Sequence, residues 1–181
     1  MTTSTLGYAL LAALARAPSS GYELSQRLEH PIGYFWSAQH SQIHGELRRL
    51  TEAALVSFQA TPGPGPHAKK IYSVTDAGMR ALATWIGQPP RPEPSRSEMM
   101  LKSYALWVAD RSTVTALFQT QLAEHRRRLA EYEAAWGNVV GAHPGGVPPR
   151  SHPDFGNYVT LRYGIGLERH TIEWCEWLLA Q

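Results

Sequence analysis

Cysteine is nearly absent from this chain. Cys175 stands alone among 181 residues, so no intrachain disulfide can form and nothing calls for an oxidising compartment. Long apolar runs are also missing. The most continuous one, Leu6 to Ala15, is too short to span a bilayer. The residues ahead of it, MTTST, lack the basic side chain of a secretory leader, so a cytoplasmic protein with no membrane partner is expected. Charge of one sign is scarce. The formal net charge is +2, which by itself does not point to nucleic acid. Residues 1–90 hold seven Lys/Arg against five Asp/Glu, and residues 91–181 hold ten of each, so the small basic excess is amino-terminal. No catalytic constellation is visible. GPGPH lacks the lysine and the helix context of a phosphate loop, so neither an enzyme nor a cofactor is expected. His40 and His44 have a metal-ligand spacing on a helix, but no third ligand of suitable type stands near them in sequence, and no metal is expected there. Cys175 falls on the apolar side of a helix, where an inert buried thiol is the default.

What is present is organised around residues 37–76, SAQHSQIHGELRRLTEAALVSFQATPGPGPHAKKIYSVTD. Ile43, Leu47, Leu50 and Ala54 recur at helical spacing and form an apolar stripe. The other face carries Ser41, Gly45, Arg48, Arg49 and Glu52. A helix that enters a major groove needs this division, with one face in a core and one face of small, polar and basic residues toward DNA. Val56 to Gln59 reads as a short strand and Lys69 to Val74 as its partner. Between them TPGPGPHA cannot be regular structure, because its prolines and glycines break it. The result is a wing, with Lys69 and Lys70 on its return strand placed to touch phosphate. The competing reading is an ordinary α/β corner with a solvated basic edge.

Ahead of this stretch, Leu6, Leu10, Ala13 and Leu14 give one face of a buried helix that ends near Ala17-Pro18. Ser20 and Glu23 form a capping box for a helix GYELSQRLE with Tyr22, Leu24 and Leu28 inward, closed by Pro31 and Gly33. Tyr34, Phe35 and Trp36 anchor the following turn, a ligand role being the other reading. Thr75-Asp76 caps a helix with Met79, Leu82 and Ile86 inward. Residues 88–95, QPPRPEPS, hold four prolines in eight positions and make a stiff linker. The expected division is a DNA-binding domain over 1–88, a linker over 89–96 and a helical domain over 97–181.

In the second half Ser95 and Glu98 suggest a capping box before EMMLKSYALWVA, whose apolar content is Met99, Leu101, Tyr104, Leu106 and Val108. A helix capped by Asp110 or Ser112 runs to about Asn138, and its Arg126 to Arg128 read as a solvated face laced with Glu124, Glu131 and Glu133 rather than as a DNA patch. Residues 139–153 are a Gly, Pro and His-rich loop. The last helix, from about Phe155 to Ala180, has two stripes: Leu161, Ile165, Ile172, Cys175 and Leu179, and Tyr163, Leu167, His170, Trp174 and Trp177. A helix apolar on two sides must bury both, and a second copy of the chain is the natural cover for one of them. The expected dimer interface takes Leu161, Ile165, Ile172, Cys175, Trp177 and Leu179. A twofold dimer presents two groove helices to half-sites about 34 Å apart or a multiple of it.

These segments together resemble the PadR family of transcriptional regulators. The residues that carry the likeness are LGYALLAAL at 6–14, SSGYELSQRLE at 19–29, FWSAQHSQIHGELRRLTEAALV at 35–56, KKIYSVTDAGMRAL at 69–82 and LRYGIGLERHTIEWCEWL at 161–178. No single motif is decisive; the ordered set is strong. The resemblance implies a mainly α fold, with a winged helix-turn-helix DNA-binding domain bearing a two-stranded wing and an all-helical carboxy-terminal dimerisation domain of the multi-helix form. It implies a homodimeric regulator, a repressor, that binds a pseudo-palindromic operator through the helix at about 40–54 and the wing at about 60–70, with release by a small aromatic or phenolic effector. Carried over by position, the DNA contacts are Ser41, Gln42, His44, Gly45, Arg48 and Arg49 on the helix and His67, Lys69 and Lys70 on the wing. The effector candidates are Trp36, Trp107, Tyr158, Arg162, His170 and Trp174, rings for a flat ligand and cations for its anionic group. The family commonly has tyrosine where this chain has His44, a larger residue where it has Gly45, and glycine where it has Ala54; a mid-helix glycine costs roughly 1 kcal/mol against alanine. The alternative is a winged-helix ligand-binding or protein-interaction module without specific DNA binding.

Overall fold

The computed structural model describes residues 3–29, 40–61, 69–90 and 97–181. The chain divides into two compact units, Met1–Arg91 and Pro92–Gln181. In the first, helix α1 (Thr5–Arg16) is followed by a two-residue strand β1 (Ser19–Ser20), helices α2 (Gly21–Glu29) and α3 (His40–Glu52), strands β2 (Val56–Thr61) and β3 (Lys69–Val74), and helix α4 (Asp76–Ile86). The second holds α5 (Glu98–Tyr104), a 3-10 turn (Leu106–Val108), α6 (Arg111–Gly141) and α7 (Asp154–Leu179). No helix among the described residues is long and apolar enough to cross a membrane.

The amino-terminal core gathers around α1. Leu10, Leu11, Ala13 and Leu14 are buried there against Leu24 and Leu28 of α2, Ile43, Leu47 and Leu50 of α3, Val56 of β2 and Leu82 of α4. Local chemistry sets the ends of these helices. Ser4 caps α1 by accepting the Gly7 N–H. The capping box at α2 is closed in both directions: Glu23 accepts the Ser20 N–H at 2.8 Å and Ser20 Oγ accepts the Glu23 N–H at 3.3 Å. Thr75 caps α4 through the Gly78 N–H. The sheet has order β1-β3-β2, all antiparallel, with Ser20 opposite Ile71 and Phe58 opposite Tyr72. The wing is therefore extended by a third strand. Two serines have neither the alternation nor the β-propensity that marks a strand; pairing with β3 alone defines it.

Several inward assignments change. Tyr22 is 63% exposed, because α2 turns Leu24 and Leu28 to the core and a position two residues from Leu24 lies on the far side of a helix. Ala54 is exposed and lies outside α3, with φ 55°. The helix closes in a Schellman motif, the Leu55 N–H reaching the Leu50 carbonyl and the Ala54 N–H that of Thr51, which forces Ala54 into the left-handed region that favours glycine. In α4 only Leu82 of the expected trio is buried; Met79 and Ile86 face out. Gly78 sets this orientation, since a Cβ there would stand 2.2 Å from the Leu55 carbonyl oxygen. That close approach turns the Gly78–Leu82 line inward, and Trp85 completes it by stacking on Tyr8 at 4.6 Å.

In the second unit, the cap of α5 is Ser97, which accepts the Met100 N–H; Ser95 lies outside the described residues. The helix is shorter than expected, and Leu101, Tyr104 and Val108 are exposed. Asp110 caps α6. Helices α6 and α7 pack as an antiparallel pair. Phe118 meets Trp174 edge to face at 5.3 Å, Trp136 stacks on Tyr158 at 4.4 Å, and Gly164 brings α7 against the ring of the buried Tyr132. A buried Glu168 reaches His125 Nδ1 at 2.5 Å. Arg126 pairs with Glu176, Arg127 with Glu124 and Glu131, and Arg128 with Glu124, so these arginines lie on a paired helix face.

Candidate nucleic-acid interface

Helix α3 is divided as a groove helix requires. Ile43, Leu47 and Leu50 are buried, while Ser41, Gln42, His44, Arg48 and Arg49 are exposed. Glu46 breaks the pattern. It is 4% exposed, accepts a hydrogen bond from Ser4 Oγ at 2.7 Å and pairs with Arg49 at 3.0 Å. A charge on the core side of an amphipathic helix is invisible to periodicity; its partners, the residue that caps α1 and one from the next turn of α3, make its burial tolerable. Gly7 makes room for it, since a Cβ there would meet Glu46 Oε1 at 2.6 Å.

His44 leans on the start of α2, where a Cβ on Gly21 would meet its ring at 2.9 Å. Its imidazole thus sits between the two helices of the helix-turn-helix as well as on the exposed face. At Gly45 an added Cβ would meet nothing within 4 Å, so no packing within the described residues requires glycine there.

The wing contributes Lys69 and Lys70 from β3. Lys69 Nζ donates to Glu23 Oε1 at 2.9 Å, joining the return strand to the capping box of α2. The lysine ammonium is the main cause, with the two Ser20 contacts, that takes the Glu23 carboxyl from its usual 4.5 down to about 2. Lys70 Nζ lies 4.3 Å over the Phe58 ring. Arg48 faces Glu52 at 3.8 Å, both well exposed. Three of the four described cations on this surface, Arg48, Arg49 and Lys69, therefore already face a carboxylate. Surface pairs of this kind contribute about 0–1 kcal/mol, so a phosphate can displace them at small cost. His67, expected on the wing, lies outside the described residues, as does Trp36.

The other expected sites are placed differently. Leu161, Ile165 and Cys175 are buried within the chain, on the stripe that α7 turns to α6, so they are not free to meet a second copy. Burial also pushes the Cys175 thiol pKa up, which suits an inert side chain. Ile172 and Leu179 are half-buried. Trp177, with Tyr163 and Leu167, is on the exposed stripe. Both stripes have the same period, and only the packing of α6 selects between them. Among the described residues of the second unit, the effector candidates do not gather at one place. Trp107 is 86% exposed. Tyr158 and Trp174 are each engaged by a ring of α6 and stand about 24 Å apart along α7. Arg162 and His170 are exposed, each one helical turn from one of those rings.

Comparison with known proteins supports this frame along the whole chain. Residues 10–84 match the transcriptional regulator PadR-like family, and residues 95–181 match the virulence activator alpha C-terminal family. The negative transcriptional regulator PadR of Bacillus subtilis is 34% identical over 178 residues, which cover 97% of this chain and 96% of that protein. The crystal structure of Bacillus subtilis PadR in complex with operator DNA aligns with a TM-score of 0.87 at 32% identity, covering 99% of each chain. That of the same protein in complex with p-coumaric acid aligns at 0.79 and 32%, covering 98% of each. The chain belongs to the PadR-like family of transcriptional regulators.

Proposed function

We propose that this chain is a homodimeric transcriptional repressor whose α3 enters the major groove of a pseudo-palindromic operator while the wing grips the flanking phosphates. The observation that carries the reading is the division of α3, with Ile43, Leu47 and Leu50 in the core and Ser41, Gln42, His44, Arg48 and Arg49 outside, beside Lys69 and Lys70. The operator-bound structure of the Bacillus relative supports it. Ser41, Gln42 and His44 open the helix and meet base edges and phosphate, and Arg48 and Arg49 reach phosphate or a guanine edge. Gly45 lets the helix backbone approach the DNA. Residues 1–88 serve as the DNA-binding domain, 89–96 as the linker and 97–181 as the dimerisation and effector domain. A second copy covers the outward stripe of α7, Tyr163, Leu167 and Trp177, rather than Leu161, Ile165 and Cys175. A small phenolic acid, of the class held by the Bacillus relative, releases the operator.

The test is an anisotropy titration with DNA from upstream of the chain's own coding region, at two salt concentrations, beside a scrambled duplex. Lys69→Ala/Lys70→Ala should weaken binding and lower the salt slope by about two, one for each phosphate contact. Glu23→Gln keeps the cap acceptor but frees Lys69, and should act in the opposite direction. Adding p-coumaric acid should release the specific duplex. The pairing of Arg48, Arg49 and Lys69 with carboxylates favours a second reading, a winged-helix ligand-binding or protein-interaction module. Equal, weak binding to both duplexes with tight binding of the phenolic acid would select it.

A further inference from the structure

The connection between α6 and α7 brings together three side chains with transition-metal ligand chemistry. His143 stands just beyond the end of α6, Asp154 is the first residue of α7, and His152 precedes it by two. His143 Nε2 lies 3.0 Å and His152 Nδ1 3.6 Å from the same atom, Asp154 Oδ2. One ligand atom from each residue fits within 4.8 Å of the others. A tetrahedral Zn²⁺ held at about 2.0–2.1 Å sets its ligand atoms roughly 3.3 Å apart, and the two spacings at Asp154 fall on either side of that value.

The loop is built to hold these groups. Gly145 and Gly146 have φ of 79° and 78°, which lets the chain fold back so that the Gly146 N–H reaches the His143 carbonyl at 2.9 Å. Pro148, within the loop, is fully buried. The His152 N–H is taken by the Pro149 carbonyl at 2.8 Å. His152 Nδ1 accepts the Asp154 N–H at 3.1 Å, which places the proton of the neutral ring on Nε2, so an ion bound at Nδ1 takes the place of that hydrogen bond. The His143 side chain is 12% exposed and that of His152 46%, so the cluster opens to solvent on one side.

We propose that His143, His152 and Asp154 bind one divalent transition-metal ion, with Zn²⁺ the best match to two imidazoles and a carboxylate. The ion clasps the α6–α7 hairpin at its loop end; without it the His143–Asp154 pair holds the same ends more loosely. The test uses the full chain, stripped with a chelator, dialysed against Zn²⁺ and assayed for retained metal, with Co²⁺ as a spectroscopic probe of tetrahedral N/O ligation. The expected result is about one Zn²⁺ per chain and a rise in Tm on loading. His143→Ala, His152→Ala and Asp154→Asn should each lose both, whereas His44→Ala, which disrupts the other histidine pair, should keep both. His152 is the most exposed of the three, so its variant remains informative if His143→Ala fails to fold. No retained zinc in the unaltered chain, or equal retention in the His152→Ala and Asp154→Asn variants, would overturn the proposal.

Discussion

Among the described residues of the amino-terminal unit, eleven apolar side chains from α1, α2, α3, β2 and α4 close into one buried cluster. In the carboxy-terminal unit the buried apolar positions are few, among them Phe118, Tyr132, Leu161, Ile165 and Cys175, while Tyr104, Trp107, Val108, Tyr163 and Trp177 stand mostly exposed. The first unit gathers its described leucines, Ile43 and Val56 into one core, leaves Tyr22, Met79 and Ile86 outside it, and exposes a polar and basic helix face. The second exposes aromatic surface that one chain does not cover. Apolar area left in water forgoes about 25 cal/mol per Å², so the two units call for different partners: a polyanion for the first, a second apolar surface for the second.

Substitutions can sharpen that contrast. The largest effect should come from Gly78→Ala, which sets a methyl against the Leu55 carbonyl and should destabilise the amino-terminal unit by about 3 kcal/mol in urea unfolding, whatever the protein concentration. Leu167→Glu with Trp177→Glu should raise the dimer dissociation constant at least about 100-fold in sedimentation equilibrium while leaving the amino-terminal core intact. An unchanged constant would break the comparison, because the exposed stripe would then need another explanation. Glu46→Ala should cost about 2 kcal/mol, since Ser4 and Arg49 lose a buried acceptor. Ala54→Gly should stabilise by about 0.5–1 kcal/mol, relieving a left-handed alanine.

Acid should act through Glu23. Its carboxyl titrates at about 2 in the folded chain against an ordinary 4.5, so its contribution is present above about pH 4.5 and is lost as the pH falls toward 2. Thermal melts across that window should show a smaller acid slope for Glu23→Gln than for the unaltered chain.

The parts of this architecture that were legible in the sequence are those whose signals are local. The stripe Ile43-Leu47-Leu50, the Ser20–Glu23 box, the Thr75 cap and both wing strands follow from periodicity and turn chemistry within a few residues. Features that depend on a distant partner were not legible. Strand β1 exists only by pairing with β3, Glu46 is buried only because Ser4 and Arg49 meet it, and the orientation of α4 is set by Leu55 pressing on Gly78. The two stripes of α7 were visible, but nothing within α7 says which one α6 covers. The aromatic residues of the second unit were counted by type, whereas their positions along α6 and α7 pair them ring to ring rather than gathering them into one pocket. His143 and His152 stand in residues 139–153, read only as a loop, and Asp154 just beyond it; the turn through Gly145 and Gly146 is what assembles them.

The most direct test of the central claim is a footprint of the purified chain on DNA from upstream of its own coding region. The account predicts two protected half-sites related by a twofold axis, with centres about 34 Å apart or a multiple of it. It also predicts that Gly45→Ala, which should stabilise α3 by roughly 1 kcal/mol, weakens that protection because its methyl meets the DNA. Protection no stronger than on random DNA, or a Gly45→Ala footprint as strong as the original, would contradict the placement of α3 in the groove.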